Sequence, residues 1–445
     1  MKKKFVFIGA GSLDFTQDLV RDILSFESFQ DAAFHLVDIH EGRLSYAKAA
    51  VEKMVRAGGY GAAVFAHTKR EEALEGADGV LITILQGGVN VWRHDIEIPK
   101  KYGVDICVGD TRGPSGIFRF LRTAPVMLDI IRDVERLCPN AIVLNYTNPM
   151  ALLCGYLQKQ TKVNITGLCH SVQGTATMLA EWLGAPMSEI TYKCTGINHM
   201  AFYLEYLWNG KDAYPMLRDA VMNRPEVQNE EPVRNEMFLQ LGYYPTESSG
   251  HNSEYNPWFR KRPDLIEKYC AHGTGWNPGE HAYVLKEYIE REDAWEAQFR
   301  RILDSEQVDL ARGEEYASHI FNAIFGDNTP YEFNGNLRNT GLIDNLPYGA
   351  CVEVPVQVSK AGIRPFYVGS LPDHLAVFVN TASRCEELAI DAVIERDPLK
   401  VFHAILFDPL TSSVLSMGEI REMTNEMFAM NKDFLGYFKL KTDRV

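Results

Sequence analysis

The chain has no apolar run of the roughly 18 to 20 residues that a membrane-spanning helix needs, so an integral membrane protein of the helical kind is not expected. The start Lys2-Lys3-Lys4 could open an export signal, but the apolar run Phe5 to Ala10 stops at Gly11 and Asp14 follows. A strand entering a glycine turn explains it better. Cysteine is sparse and scattered, eight residues without a CxxC or a framework spacing, which excludes a disulfide scaffold. Reduced thiols in a cytoplasm are the expectation. Basic charge is short as well: 45 Lys and Arg against 59 Asp and Glu give a net −14, which argues against binding a nucleic-acid backbone. There is no internal repeat or low-complexity tract. What remains, 46% hydrophobic and 23% charged, is a soluble globular composition. At 445 residues the chain is too long for one ordinary core, and two domains are expected, 1–200 and 201–445.

Lys4-Phe5-Val6-Phe7-Ile8 reads as a buried parallel strand running into Gly9-Ala10-Gly11-Ser12, and Phe15 to Leu24 follows with helical apolar spacing. Such a strand, glycine turn and helix presents backbone amides to a pyrophosphate. Phe34 to Val37 is a second strand ending in Asp38, an acid that can bond both ribose hydroxyls of NAD and repel the 2′-phosphate of NADP. Gly9, Gly11, Ser12 and Asp38 are therefore the cofactor-binding candidates, with a helix-capping role for Asp38 as the plain alternative. Further strands are read at 79–85, 140–144 and 163–168, with a helix from Met150 to Gln160. Their carboxyl ends carry Asn148 and Cys169-His170, and in an open parallel sheet ligands bind outside those ends. The glycine-rich run Gly109-Asp110-Thr111-Arg112-Gly113-Pro114-Ser115-Gly116 reads as a turn or as a loop over the cofactor.

Beyond about residue 200 longer helical stretches are expected, among them 281–303 and 386–406. Residues 243–259 crowd Tyr243, Tyr244, Glu247, His251, Glu254, Tyr255 and Trp258, a mix found in polyol-lining loops and in ordinary interdomain loops alike. Cys169 and His199 could supply a thiolate and an imidazole to a divalent cation, with positions left open for substrate. Their separation of about thirty residues is not diagnostic, and packing roles for both stand beside the metal reading.

Gly9 to Ser12, Asn145-Tyr146-Thr147-Asn148-Pro149-Met150, Gly167 to Thr175 (Cys169-His170-Ser171-Val172 within it), Gly196-Ile197-Asn198-His199-Met200-Ala201 and Gly341 to Pro347 closely resemble glycoside hydrolase family 4, in order and over nearly the whole chain. The Cys-His-Ser-Val run and Thr246-Glu247-Ser248-Ser249 look most like its bacterial α-galactosidase branch. The resemblance implies a Rossmann-like doubly wound parallel sheet followed by an α+β C-terminal domain, as in lactate and malate dehydrogenases. It implies a cytoplasmic enzyme that needs NAD and Mn²⁺ and assembles as a homodimer or homotetramer, with no nucleic-acid or membrane partner. In the family's reaction NAD takes hydride from C3 of the sugar, a base removes the acidified C2 proton, the aglycone is eliminated, water adds and the hydride returns; this family stands outside the two-carboxylate scheme.

By the same resemblance Cys169 and His199 are the metal ligands, Asn148 contacts substrate hydroxyls, with Asp110 and Glu247 beside it, and His170 is the acid for the leaving oxygen. Tyr255 is the C2 base, with Glu247 and His251 as competitors. Arg112 and Ser115 depart from the α-galactosidase pattern, and Gly273 to His281 lacks basic residues that relatives carry. Arg112 could therefore receive an α-galacturonide or another anionic sugar, and α-glucosides stay open too. Two other readings remain: a hydroxy-acid dehydrogenase, which would accumulate NADH without a metal, and a silent NAD-binding sensor.

Overall fold

A computed structural model describes residues 2–12, 15–271, 273, 279–439 and 445. Its spine is a twelve-stranded mixed sheet. Six strands form a parallel half: β1 (Lys4–Ile8), β2 (Ala33–Val37), β3 (Ala63–His67), β4 (Gly79–Ile82), β5 (Ile142–Asn145) and β6 (Ile165–Gly167). They lie in the order 3-2-1-4-5-6, the arrangement of a dinucleotide-binding doubly wound sheet. β4 and β5 are buried at every residue, as strands covered on both faces must be. β1 shows both faces at once. Phe5 and Phe7 pack into the cluster of Leu19, Val20 and Ile23 from helix Phe15–Leu24, whereas Val6 and Ile8 join Ile117, Phe118 and Leu121 from helix Gly113–Leu137.

The sheet then continues without a break into an antiparallel half. β7 (Ile190–Ile197) and β8 (Met200–Trp208) form a hairpin, followed by β9 (Lys211–Asp212), β10 (Tyr331–Arg338), β11 (Cys351–Ser359) and β12 (Gly362–Pro365). β10 joins β6 antiparallel through Asn336 opposite Gly167, which welds the two halves. The α/β class and the dehydrogenase-like order stand as expected.

Sequence periodicity does not show everything. The expected helix 386–406 is two helices, Asp373–Glu395 and Pro398–Leu406. Arg396 turns left-handed at φ 56° and Asp397 caps the new helix ahead of Pro398, whose missing N–H suits a first turn. β3 has a half-exposed edge pattern and β10 is rich in polar residues, and neither was anticipated. Among the described residues no helix is long and apolar enough to cross a membrane.

Candidate active site

The parallel half delivers its residues where topology requires. Gly9 sits at the end of β1 with φ 87°, and a Cβ there would lie 2.3 Å from the Thr83 carbonyl oxygen, so only glycine fits. The N–H of Gly11 donates to Asp38 Oδ2 at 2.7 Å, so the turn and the acid at the end of β2 form one unit, with Ser12 closing it through its N–H to Gly9 O at 3.2 Å. Asp38 also accepts from the His40 N–H at 2.8 Å. The following helix Glu41–Ala57 is capped by the His40 side chain, so Asp38 is not its cap. Beside it Ile39 is 92% exposed, an apolar surface on the same rim that polarity-based reading overlooks.

Cys169 follows β6, and His199 occupies the turn between β7 and β8. The Sγ and Nε2 atoms stand 3.1 Å apart in a buried setting. His199 is left-handed at φ 60°, a cost that non-glycine residues bear mainly where the surroundings impose it. Its Nδ1 faces the Thr111 hydroxyl at 3.1 Å and the Tyr255 hydroxyl at 3.3 Å. Glu247, also left-handed at φ 68°, brings Oε2 to 3.4 Å from His199 Nε2 and Oε1 to 3.2 Å from His251 Nδ1. Asp110 receives Asn148 Nδ2 at 3.1 Å and the Thr111 hydroxyl at 2.7 Å. Asn148 Oδ1 is buried without a partner among the described residues, a carbonyl poised for a ligand hydroxyl.

The electrostatics follow from burial and from these neighbours. Burial pushes the His199 imidazole down to about 4, leaving it neutral, as a metal ligand must be. Burial first, then the Glu247 and Glu353 carboxylates, push the Cys169 thiol up; a coordinated cation reverses that, because a ligating thiol is deprotonated. For Glu247 and Asp110 burial is outweighed by nearby histidines, joined at Asp110 by Arg119, which hold both carboxyls below the usual range. The donor set of thiolate, imidazole and carboxylate oxygen suits a borderline divalent cation.

Other candidates lie outside this buried cluster. His170 is exposed on the rim, its Nε2 2.5 Å from Glu315 Oε1, and its ring lies against Tyr146 and Phe15. Of the aromatic-rich run, Tyr244 is locked in a separate core, Tyr243 packs on Tyr214 and His374, and Trp258 rests on Phe378. Glu254 turns away to accept three backbone N–H groups, from Cys107, Val108 and Gly109, at 2.8–2.9 Å. It thereby ties the Tyr255 segment to the loop that carries Asp110.

Arg112 is buried among protein partners. Its guanidinium lies over the Tyr255 ring, 4.9 Å from the centroid, and donates to Asn198 O at 2.5 Å and to Glu386 Oε1 at 2.9 Å. Arg112 also lines a small cavity of about 20 Å³ with Tyr255, Glu386 and Asp408. Ser115 is buried and clips the loop by donating to Gly109 O at 2.5 Å. The Gly273–His281 departure lies largely outside the described residues, which omit 274–278. Glu315 and Glu386 escaped sequence reading, for no local spacing marks them; Glu386 is 274 residues from the Arg112 it pairs with.

This geometry agrees with what the chain is similar to. The α-galactosidase of Bacillus subtilis (strain 168) is 37% identical over 444 residues, covering 98% of this chain and 100% of that protein. An α-galacturonidase of Thermoanaerobacterium saccharolyticum is 30% identical, with 83% of each chain covered. A 6-phospho-α-glucosidase from gut microorganisms, solved in complex with NAD and Mn²⁺, superposes with a TM-score of 0.83 at 20% identity over 99% of this chain and 100% of that one. Residues 4–185 match the model of the family 4 glycosyl hydrolases and residues 194–411 that of their C-terminal domain. The chain belongs to the family 4 glycosyl hydrolases.

Proposed function

We propose that this enzyme hydrolyses α-galactosides by transient oxidation at C3, elimination across C1 and C2, addition of water and re-reduction. The observation that carries the reading is the convergence on one sheet rim of the Gly9–Asp38 turn, the buried Cys169–His199 donor pair and the Tyr255 hydroxyl 3.3 Å from His199. When bound, NAD supplies a reversible hydride acceptor, and a divalent cation such as Mn²⁺ supplies a Lewis acid for adjacent sugar oxygens. Gly9, Gly11 and Ser12 bind the pyrophosphate and Asp38 the ribose; Cys169 and His199 hold the cation. Asn148 and Asp110 orient the sugar hydroxyls, Tyr255 removes the C2 proton and His170 protonates the leaving oxygen, its ring steadied by Glu315. Burial and Asp110 push the Tyr255 phenol up, and the Arg112 guanidinium over its ring opposes them.

The charge balance supports a neutral sugar over a galacturonide. Asp110 and Glu247 are held below the usual carboxylate range, while the Arg112 Nη2 is paired with Glu386. Eight buried free thiols suit a reducing cytoplasm. A homodimer or homotetramer would cover exposed Tyr348, Phe366 and Tyr367.

The test is hydrolysis of 4-nitrophenyl α-galactoside and α-galacturonide with NAD, Mn²⁺ and a reductant, each omitted in turn, then with C2-deuterated substrate. Expected is cleavage of the galactoside that needs both cofactors and slows with deuterium. Cleavage of the galacturonide alone reverses the sugar assignment. Net NADH formation from a 2-hydroxy acid, without glycoside cleavage, overturns the reading.

A further inference from the structure

The Thr111 hydroxyl has one proton, and it goes to Asp110 Oδ1 at 2.7 Å. Toward His199 Nδ1, 3.1 Å away, Thr111 therefore accepts, and a hydrogen on Nδ1 serves both Thr111 and the Tyr255 hydroxyl oxygen 3.3 Å away, leaving Nε2 its lone pair. That lone pair points at two further electron-rich atoms, Cys169 Sγ at 3.1 Å and Glu247 Oε2 at 3.4 Å. A thiol proton can bridge the first contact. Glu247 Oε2 and Cys169 Sγ thus converge on Nε2 from two different elements, and a cation seated among the three would take all of them as donors.

The spacing fits one. Metal–ligand bonds of about 2.0–2.5 Å place neighbouring ligand atoms roughly 2.8–3.5 Å apart at right angles, which brackets both contacts. The three donor atoms all lie within 4.8 Å of one another. The backbone adds an independent sign. Glu247 is buried and left-handed at φ 68° although it is not glycine, as is His199 at φ 60°, and both distortions aim a donor at the same point. A second group, Asp110, His199 and His251, is equally compact, but there His199 would have to offer Nδ1, whose lone pair is used up by its hydrogen.

We propose that Glu247 is the third protein ligand of the catalytic cation, completing a Cys169–His199–Glu247 set. This rests on the reading above that a cation sits at Cys169 and His199. Three protein donors leave a six-coordinate ion with three open positions, enough for two vicinal sugar oxygens and one water. Glu247 is then neither the C2 base nor a hydroxyl-binding residue, and Tyr255 is left as the base. His251, 3.2 Å from Glu247 Oε1, orients the carboxylate, as residues behind metal ligands do.

The experiment is titration of Mn²⁺ into the full-length protein, read by the electron paramagnetic resonance of the free aquo ion, with NAD affinity measured in parallel. Glu247→Gln should weaken Mn²⁺ binding by at least about 10- to 100-fold, the range already seen for disturbing residues behind metal ligands, while its NAD affinity stays within about threefold of wild type. If Glu247→Gln fails to fold, Glu247→Gly decides the matter, because glycine accepts the left-handed backbone without strain. Wild-type Mn²⁺ affinity in a folded Glu247 variant overturns the proposal. Wild-type Mn²⁺ affinity in Cys169→Ser would instead overturn the underlying assignment of the cation site.

Discussion

The two halves of the sheet reach the same site by different means. The parallel half places Gly9, Asp38, Asn148 and Cys169 at or just beyond the carboxyl ends of β1, β2, β5 and β6, with each position dictated by strand order. The antiparallel half supplies His199, Glu247 and Tyr255 from a hairpin turn and a loop. These are held by left-handed backbone, by Glu254 on the Cys107–Gly109 amides and by Arg112 on Glu386. One half positions its chemistry through regular pairing and the other through buried polar contacts distant in sequence. Cofactor binding should therefore survive damage to the second half, whereas metal chemistry should not.

Removing Cys169, the proposed cation ligand on the parallel half, gives the largest effect. Cys169→Ser should lower metal-dependent turnover at least about 100-fold, the scale of losing a first ligand's share of Lewis-acid stabilisation, with the NAD dissociation constant unchanged by calorimetry. Loss of NAD binding in that variant would break the comparison, since it would mean that the two functions share one support.

The joint itself is next. Arg112 and Glu386 are both buried, and truncating one partner of such a pair strands the other charge at about 3–5 kcal/mol. Arg112→Met should show a loss of that order in denaturant unfolding, and Arg112→Met with Glu386→Met should recover most of it. An additive double variant would mean that the pair is not coupled.

Glu353 tests the antiparallel half by pH. Burial pushes its carboxyl up to about 8 against an ordinary 4.5, a shift to which Glu247 also adds and which Asn336 and Arg112 oppose. The folded state thus keeps a proton that the unfolded chain releases, and stability falls as pH rises from about 4.5 to 8. Glu353→Gln should flatten that slope and gain roughly 2–4 kcal/mol relative to wild type between pH 5 and pH 8, measured by denaturant titration at both. An unchanged slope would show that Glu353 is ionised in the fold.

The same contrast governs what was legible in the sequence. β1, β2 and β4 to β6 announce themselves as short apolar runs with turn residues after them, and the glycine turn with Asp38 follows as a pattern. β3 did not, because its exposed edge lacks the apolar signal, and the helix break at Arg396 hid inside continuous helical periodicity. Cys169, His199 and Tyr255 were reached through resemblance. What could not be read were pairings at long range: Thr111 on His199 is 88 residues away, and Arg112 on Glu386 is 274. An arginine that departs from its relatives' pattern looked like a receptor for an anionic sugar. Its buried counter-ion Glu386, invisible to any local motif, pairs with its Nη2.

The smallest expected effect returns to the parallel half. Asp38 accepts the Gly11 N–H at 2.7 Å and the His40 N–H at 2.8 Å, one on each carboxylate oxygen. Asp38→Asn can keep only one of these acceptors and must aim its amide at the other donor, so the turn opens slightly and the negative charge facing the ribose is lost. NAD affinity should fall about tenfold, roughly 1.4 kcal/mol, and discrimination against NADP should shrink, because the repulsion of the 2′-phosphate goes with the charge. Mn²⁺ affinity should stay at the wild-type value, for none of the proposed cation ligands leans on β2. If Mn²⁺ binding weakens along with NAD, the cation and cofactor sites are coupled through the glycine turn. The division of labour between the two halves would then be thermodynamic linkage rather than independence.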